Sequence, residues 1–157
     1  MQPTNEIRIR AYVRLIRSSE ALHAEVSRGL AAEGLTASQF STLKVLMIHG
    51  QLAQRDIAKH ILKSGGNITF LVDNLEMLGY VKRERDTRDR RIVYVSLTEA
   101  GTELFSRIYP GHLDRIREAT SALSDGECEQ LLTLLLKVQP EIEESRCHPQ
   151  ILAGTPA

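Results

Sequence analysis

The sequence predicts a mainly α-helical chain with one small β-hairpin, an α+β fold. Apolar residues recur at helical spacing through most of the length, and the period drops to two only between Tyr80 and Leu97. Capping residues mark the helix starts, at Thr36, Ser64, Thr98 and Ser124.

The first helix is expected over 6–32, where Tyr12, Leu15, Ile16, Leu22, Val26 and Leu30 form a stripe that Gly34 ends. Thr36-Ala37-Ser38-Gln39 reads as a capping box, in which hydroxyl and amide side chains each satisfy a free backbone N–H. It opens a second helix, about 37–48, turning Phe40, Leu43, Leu46 and Met47 inward. A third, about 54–61, buries Ile57, Ala58 and Ile61. Ser64 caps a fourth, which runs to about Leu78 with Ile68, Leu71, Val72, Leu75 and Leu78 on one side, and Gly79 stops it. The strands 80–85 and 92–97 are joined by Asp86-Thr87-Arg88-Asp89-Arg90-Arg91. Thr98 caps a fifth helix, about 99–119, which Pro110-Gly111 should kink or break. Ser124-Asp125-Gly126-Glu127 is a second capping box and starts a sixth helix, expected to reach Arg146. The tail 147–157, with Pro149, Gly154 and Pro156, is expected to be disordered.

With 20 basic and 20 acidic residues the chain is neutral, but the charges are segregated. Residues 54–91 hold nine basic and six acidic side chains, and residues 101–146 hold five and nine. A polyanion would be drawn to the middle of the chain and repelled by its last third. No apolar run approaches the roughly 20 residues of a membrane span, and the first residues lack the apolar core of a signal peptide. Two cysteines, Cys128 and Cys147, are too few for a disulfide framework and fit a reducing compartment, so a cytoplasmic location is expected.

The run from Gln54 to Leu97, short helix, turn, helix and hairpin, has the order of a winged helix–turn–helix. In that fold the second helix of the pair enters the DNA major groove. The core stripe of the fourth helix leaves Gly66, Thr69, Phe70, Asp73 and Met77 outward, with Asn67 on a flank. Asn and Thr can hydrogen-bond base edges, and Phe can lie against a thymine methyl. Ser64, Gly65 and Gly66 bring backbone amides to a helix N-terminus, a setting that suits a phosphate. At the hairpin tip, Arg88, Arg90 and Arg91 match a narrow, electronegative minor groove. Asp86 and Asp89 sit between them and are expected to pair with some of these arginines, holding the loop in shape. Alone, such a run reads as a solvated turn; after a helix–turn–helix it reads as a DNA-binding wing. The sixth helix, with Leu131, Leu132, Leu134, Leu135, Leu136 and Val138, is apolar around much of its circumference and calls for partners on more than one side. A homodimer is expected, with 1–33 and 99–146 as its helical dimerisation region and 34–98 as the winged helix–turn–helix.

Three segments carry a family resemblance. Leu75-Glu76-Met77-Leu78-Gly79-Tyr80-Val81, Asp89-Arg90-Arg91 and Val95-Ser96-Leu97-Thr98-Glu99-Ala100-Gly101 resemble the MarR (multiple antibiotic resistance regulator) family over roughly residues 10–146. The resemblance implies a two-fold dimer made by the first, fifth and sixth helices and a pseudo-palindromic double-stranded DNA operator. It also implies transcriptional regulation, usually repression relieved by a small ligand. It makes Arg90 the minor-groove residue, Asp89 an organiser of the wing, and Asp73 a brace for Arg83. Ser64-Gly65-Gly66-Asn67-Ile68-Thr69, Ile108-Tyr109-Pro110-Gly111-His112 and Leu134-Leu135-Leu136-Lys137 resemble the branch that responds to quinones and phenols. Ala53-Gln54 departs from the family, which often has a hydroxyl N-cap there.

A small aromatic effector would occupy the cleft between the dimer helices and the DNA-binding lobe. Tyr12, His23, His49 and Tyr109, beside Phe40 and Met47, are its candidate lining; the alternative is that these residues simply pack the domain. The five histidines show no paired spacing that specifies a metal, and no cofactor is expected. Glu127 and Glu129 flank Cys128 and oppose thiolate formation, which disfavours a cysteine redox sensor. No phosphate loop, nucleophile elbow or paired carboxylates point to an enzyme. A winged helix used only for protein contacts remains the alternative, against which the arginine-rich tip counts.

Overall fold

The structure, a computed structural model, describes residues 3–61 and 65–138, without the side chains of residues 3–5 and 65–67. Six helices and three strands follow in the order α1 (Pro3–Ala31), α2 (Ala37–His49), β1 (Leu52–Ala53), α3 (Gln54–His60), α4 (Gly65–Met77), β2 (Val81–Arg85), β3 (Val93–Leu97), α5 (Glu99–Ala119) and α6 (Asp125–Val138). Ser64, Cys147 and the tail expectation lie outside the described residues, as does the stretch of the sixth helix beyond Val138.

The capping box at Thr36 is formed: Gln39 N–H donates to Thr36 Oγ1 at 3.2 Å, and Thr36 N–H to Gln39 Oε1 at 2.8 Å. Helix α3 starts at Ala53 without a side-chain cap. Its first turn leans on β1 instead, a strand that the hairpin expectation missed. Leu52 lies opposite Val95 and Ala53 opposite Tyr94, so the sheet has three antiparallel strands in the order β1-β3-β2. Two residues are too few to show a period of two, which is why the sequence hid this strand.

One core joins α1, α2, α3, α4, the sheet and α5. Leu30, Leu43, Leu46, Ile57, Val72, Leu75, Val95 and Phe105 are its most deeply buried members. Gly79 ends α4 with φ +78°, a backbone conformation that costs other residues energy, and lets the chain turn at once into β2.

The expected break at Pro110 does not occur, and α5 runs unbroken from Glu99 to Ala119. Proline there removes one backbone hydrogen bond and crowds the preceding turn, at a cost of about 3 kcal/mol in an isolated helix. Phe105, Ile108 and Tyr109 before it are buried, and Leu113 after it packs on the same core, so tertiary contacts hold both halves in line.

Helix α6 is different. Its start is capped, Glu127 Oε2 accepting from Ser124 N–H at 2.8 Å, yet none of its residues is buried. Leu131, Leu132, Leu134, Leu135, Leu136 and Val138 are all exposed, as are Ile7, Ile9, Tyr12, Val13, Ile16 and Leu22 on α1. Among the described residues no helix is long and apolar enough to cross a membrane.

Candidate nucleic-acid interface

Helix α4 packs Ile68, Leu71, Val72 and Leu75 into the core and turns Thr69, Phe70, Asp73 and Met77 outward. Phe70 is 68% and Met77 79% exposed on that outward face. Gly66 and Asn67 lie in the first turn of α4.

Arg83, on β2, ties this helix to its neighbours. Its guanidinium pairs with Asp73 at 2.6 Å and Glu76 at 2.8 Å, and Nη2 donates to the Thr69 carbonyl at 3.3 Å. On its other side Nε donates to Gln54 Oε1, at the start of α3, at 3.1 Å. Asp73 is thus engaged inside the protein, and α3, α4 and β2 are held as one unit. Sequence reasoning found the Asp73–Arg83 pair only through family resemblance, and it missed Glu76 and Gln54.

The wing tip is built by two carboxylates. Asp86 Oδ1 accepts from the backbone N–H of Arg88 at 2.7 Å and of Asp89 at 2.8 Å. Asp89 Oδ1 accepts from Arg91 N–H at 3.0 Å and from Arg91 Nε at 3.1 Å. These bonds to Arg91 hold the Asp89 carboxyl below the usual carboxylate range. Arg91 is therefore folded back onto the loop. Arg88 and Arg90 are exposed, and among the described residues neither side chain has a hydrogen-bond or ion-pair partner. A guanidinium left in solvent at a loop tip is available to a phosphate or a minor groove.

Between α3, α4 and the wing lies an open groove of about 320 Å³, whose lining includes Gln54, Arg55, Thr69, Arg91 and Ile92. Arg55 is a cation that sequence reasoning did not single out. Its place in the groove depends on how α3 docks on α4, which no local pattern records.

The candidate ligand residues separate into groups. Phe40 and Tyr109 belong to one aromatic stack through Phe105, with ring centroids 5.4 Å and 4.9 Å apart. His112 joins it, its ring 4.4 Å from that of Phe40, and burial beside Arg115 pushes its pKa down to about 4. Among the described residues, His112 Nδ1 and Arg115 Nε and Nη2 are buried without a hydrogen-bond partner. His23 is exposed on α1 but near enough to contribute to the His112 shift. Met47 packs at the core edge, and Tyr12 is 65% exposed. His49 stacks on His60 at 4.5 Å, at the far ends of α2 and α3, about two and a half helical turns or roughly 13 Å along α2 from Phe40. Among the described residues no cluster of three or more His, Cys, Asp or Glu could hold a metal ion. Cys128 is an exposed free thiol near the start of α6.

Residues 33–92 match the MarR family pattern. YkoM, an uncharacterized HTH-type transcriptional regulator of Bacillus subtilis, is 36% identical over 77% of this chain and 79% of its own length. The chain belongs to the MarR family. It is accordingly a winged helix–turn–helix, DNA-binding transcriptional regulator. Among solved structures, a cysteine-to-serine mutant of Escherichia coli MarR complexed with operator DNA superposes with a TM-score of 0.78. It is 26% identical, over 89% of this MarR-family chain and all of that one. Bordetella bronchiseptica BpsR, whose DNA binding is regulated by 6-hydroxynicotinic acid, shares the fold with a TM-score of 0.76 at 23% identity, covering 82% of this chain and 98% of that one.

Proposed function

We propose that the chain is a homodimeric repressor whose two α4 helices read adjacent major grooves of a pseudo-palindromic operator. The observation that carries this reading is the pairing of an outward α4 face with unpartnered arginines, Arg88 and Arg90, at the tip of an ordered wing. Ser64, Gly66 and Asn67 approach the backbone or base edges near the start of α4, and Thr69 and Phe70 face the bases. Arg90 enters the minor groove, Arg88 lies at its edge, and Arg91 serves the wing together with Asp86 and Asp89. Residues 34–98 form the reading unit, while α1, α5 and α6 form the dimer.

A small aromatic effector, phenol- or quinone-like, releases the operator. The Phe40–Phe105–Tyr109 stack offers ring faces, and the buried unpartnered nitrogens of His112 and Arg115 offer donors for its oxygens. Regulation of BpsR by a hydroxylated aromatic acid supports this ligand class.

The test is fluorescence anisotropy of the purified protein on its own upstream DNA, across a salt series and beside a scrambled duplex. Tight, salt-sensitive preference for the native sequence is expected, weakening when a phenol or quinone is added. Equal, weak binding to both duplexes would favour a winged helix that serves a protein partner.

A further inference from the structure

Gln54 bridges α3 to two other elements. Its Nε2 donates to Thr69 Oγ1 on α4 at 3.0 Å, and its Oε1 accepts from Arg83 Nε on β2 at 3.1 Å. An arginine can only donate. The atom facing Arg83 must therefore be the amide oxygen, which leaves the NH2 group, itself only a donor, toward Thr69. The ion pairs of Arg83 with Asp73 and Glu76 keep its guanidinium from turning away. The direction of the whole relay follows: Arg83 gives to Gln54, and Gln54 gives to Thr69.

A threonine hydroxyl that accepts in this way keeps its proton to give and one of its two lone pairs. Thr42, Thr102, Thr120 and Thr133, all at helical positions or helix ends, give theirs to the backbone carbonyl four residues earlier. Thr69 is exposed beside the open groove between α4 and the wing, and among the described residues no acceptor takes its proton.

We propose that Gln54 is a specificity-determining, positioning residue: it fixes the Thr69 hydroxyl as a hydrogen-bond donor toward the DNA bases. At the position that Thr69 reads, the protein then selects a base with a major-groove acceptor (guanine, adenine N7 or thymine O4). It disfavours cytosine, whose groove edge offers only the N4 amino donor and can be met only by the one lone pair that Gln54 leaves free. A freely rotating hydroxyl would accept either kind of edge. The inference rests on α4 being the recognition helix.

The experiment is selection of the full-length protein on duplexes randomised across both half-sites, with sequencing of the bound pool, repeated for Gln54→Glu, Gln54→Leu and Thr69→Val. Wild type is expected to exclude cytosine about tenfold at one position of each half-site. In Gln54→Glu the carboxylate has no proton to give and takes that of Thr69. The hydroxyl becomes an acceptor, and preference at that one position moves toward cytosine or adenine while the rest of the consensus stays. Gln54→Leu broadens the same position, and it decides the matter should the Glu variant fail to fold by circular dichroism. Thr69→Val abolishes preference there. An unchanged consensus in folded Gln54 variants, or weaker binding with unaltered base ratios, overturns the role of Gln54 and leaves the α4 reading standing. A wild-type pool with no consensus overturns the α4 reading itself.

Discussion

The winged unit and α6 have similar appetites for apolar burial and opposite outcomes. In the winged unit every leucine or valine of the α4 stripe up to Leu75 finds a neighbour within the chain, and Val72 and Leu75 are fully buried. In α6 six apolar side chains in eight residues stay exposed. At about 25 cal/mol per Å², leaving so much apolar surface in water is a standing driving force for association. One region covers its apolar stripe within the chain, and the other leaves its own in water.

Charge substitutions in α6 attack that difference most directly. Leu131→Glu combined with Leu134→Glu is expected to leave the winged unit folded and to yield monomers in sedimentation. Operator affinity should fall on the order of 10²–10⁴-fold, because two tethered half-site contacts become separate ones. A variant that stays dimeric removes α6 from the interface. Truncation in the winged unit acts on folding instead. Leu75→Ala should cost about 2–5 kcal/mol in urea unfolding, the range for a large cavity in a packed core. A loss under about 1 kcal/mol would mean that α4 is less firmly seated than its burial indicates.

Smaller effects sharpen the contrast at the wing. Arg90→Ala should weaken operator binding by about 1–3 kcal/mol and reduce the slope of affinity against salt, with no change in melting temperature. If melting moves and binding does not, Arg90 serves the fold. The smallest expected effect is from His112. Its folded pKa of about 4 lies below its ordinary 6.5, so between those values the unfolded chain binds more protons than the folded one. The stability tied to its neutral form is complete above 6.5 and is lost as pH falls toward 4. The loss should be on the order of 1–2 kcal/mol, reduced by partial exposure. His112→Phe should flatten that part of the profile, and a variant with an unchanged profile would assign the acid sensitivity to other groups.

Much of this was legible in the residues. The capping box at Thr36, the stripe from Ile68 to Leu75 and the stop at Gly79 are local signals, and the helices lie where those signals put them. What stayed hidden was set by distance in the chain. Leu52–Ala53 becomes a strand only because β3, more than 40 residues later, offers it a free edge. Pro110 is tolerated because residues of other helices grip both sides of it. The Gln54–Arg83 bond spans 29 positions, and its meaning appears only when α3, α4 and β2 have been brought together. The wing tip was easier, since all its bonds lie within a few residues of Asp86 and Asp89.

The join between α4 and α5 has no slack. Thr98 N–H donates to the Tyr80 carbonyl at 3.1 Å and its hydroxyl to the Gly79 carbonyl at 2.7 Å, and a Cβ on Gly101 would collide with that same Tyr80 oxygen. Helix α5 is therefore a lever pinned at its first turn to the turret that carries the reading head. With a rise of about 1.5 Å per residue, a tilt of about 5° at the pin sweeps the far end of this 21-residue arm through roughly 3 Å. That stroke is close to the roughly 3.4 Å step between base pairs. In the homodimer proposed above, a wedge much smaller than the stroke, set near the pin, would be enough to take two such heads out of register with the DNA they span.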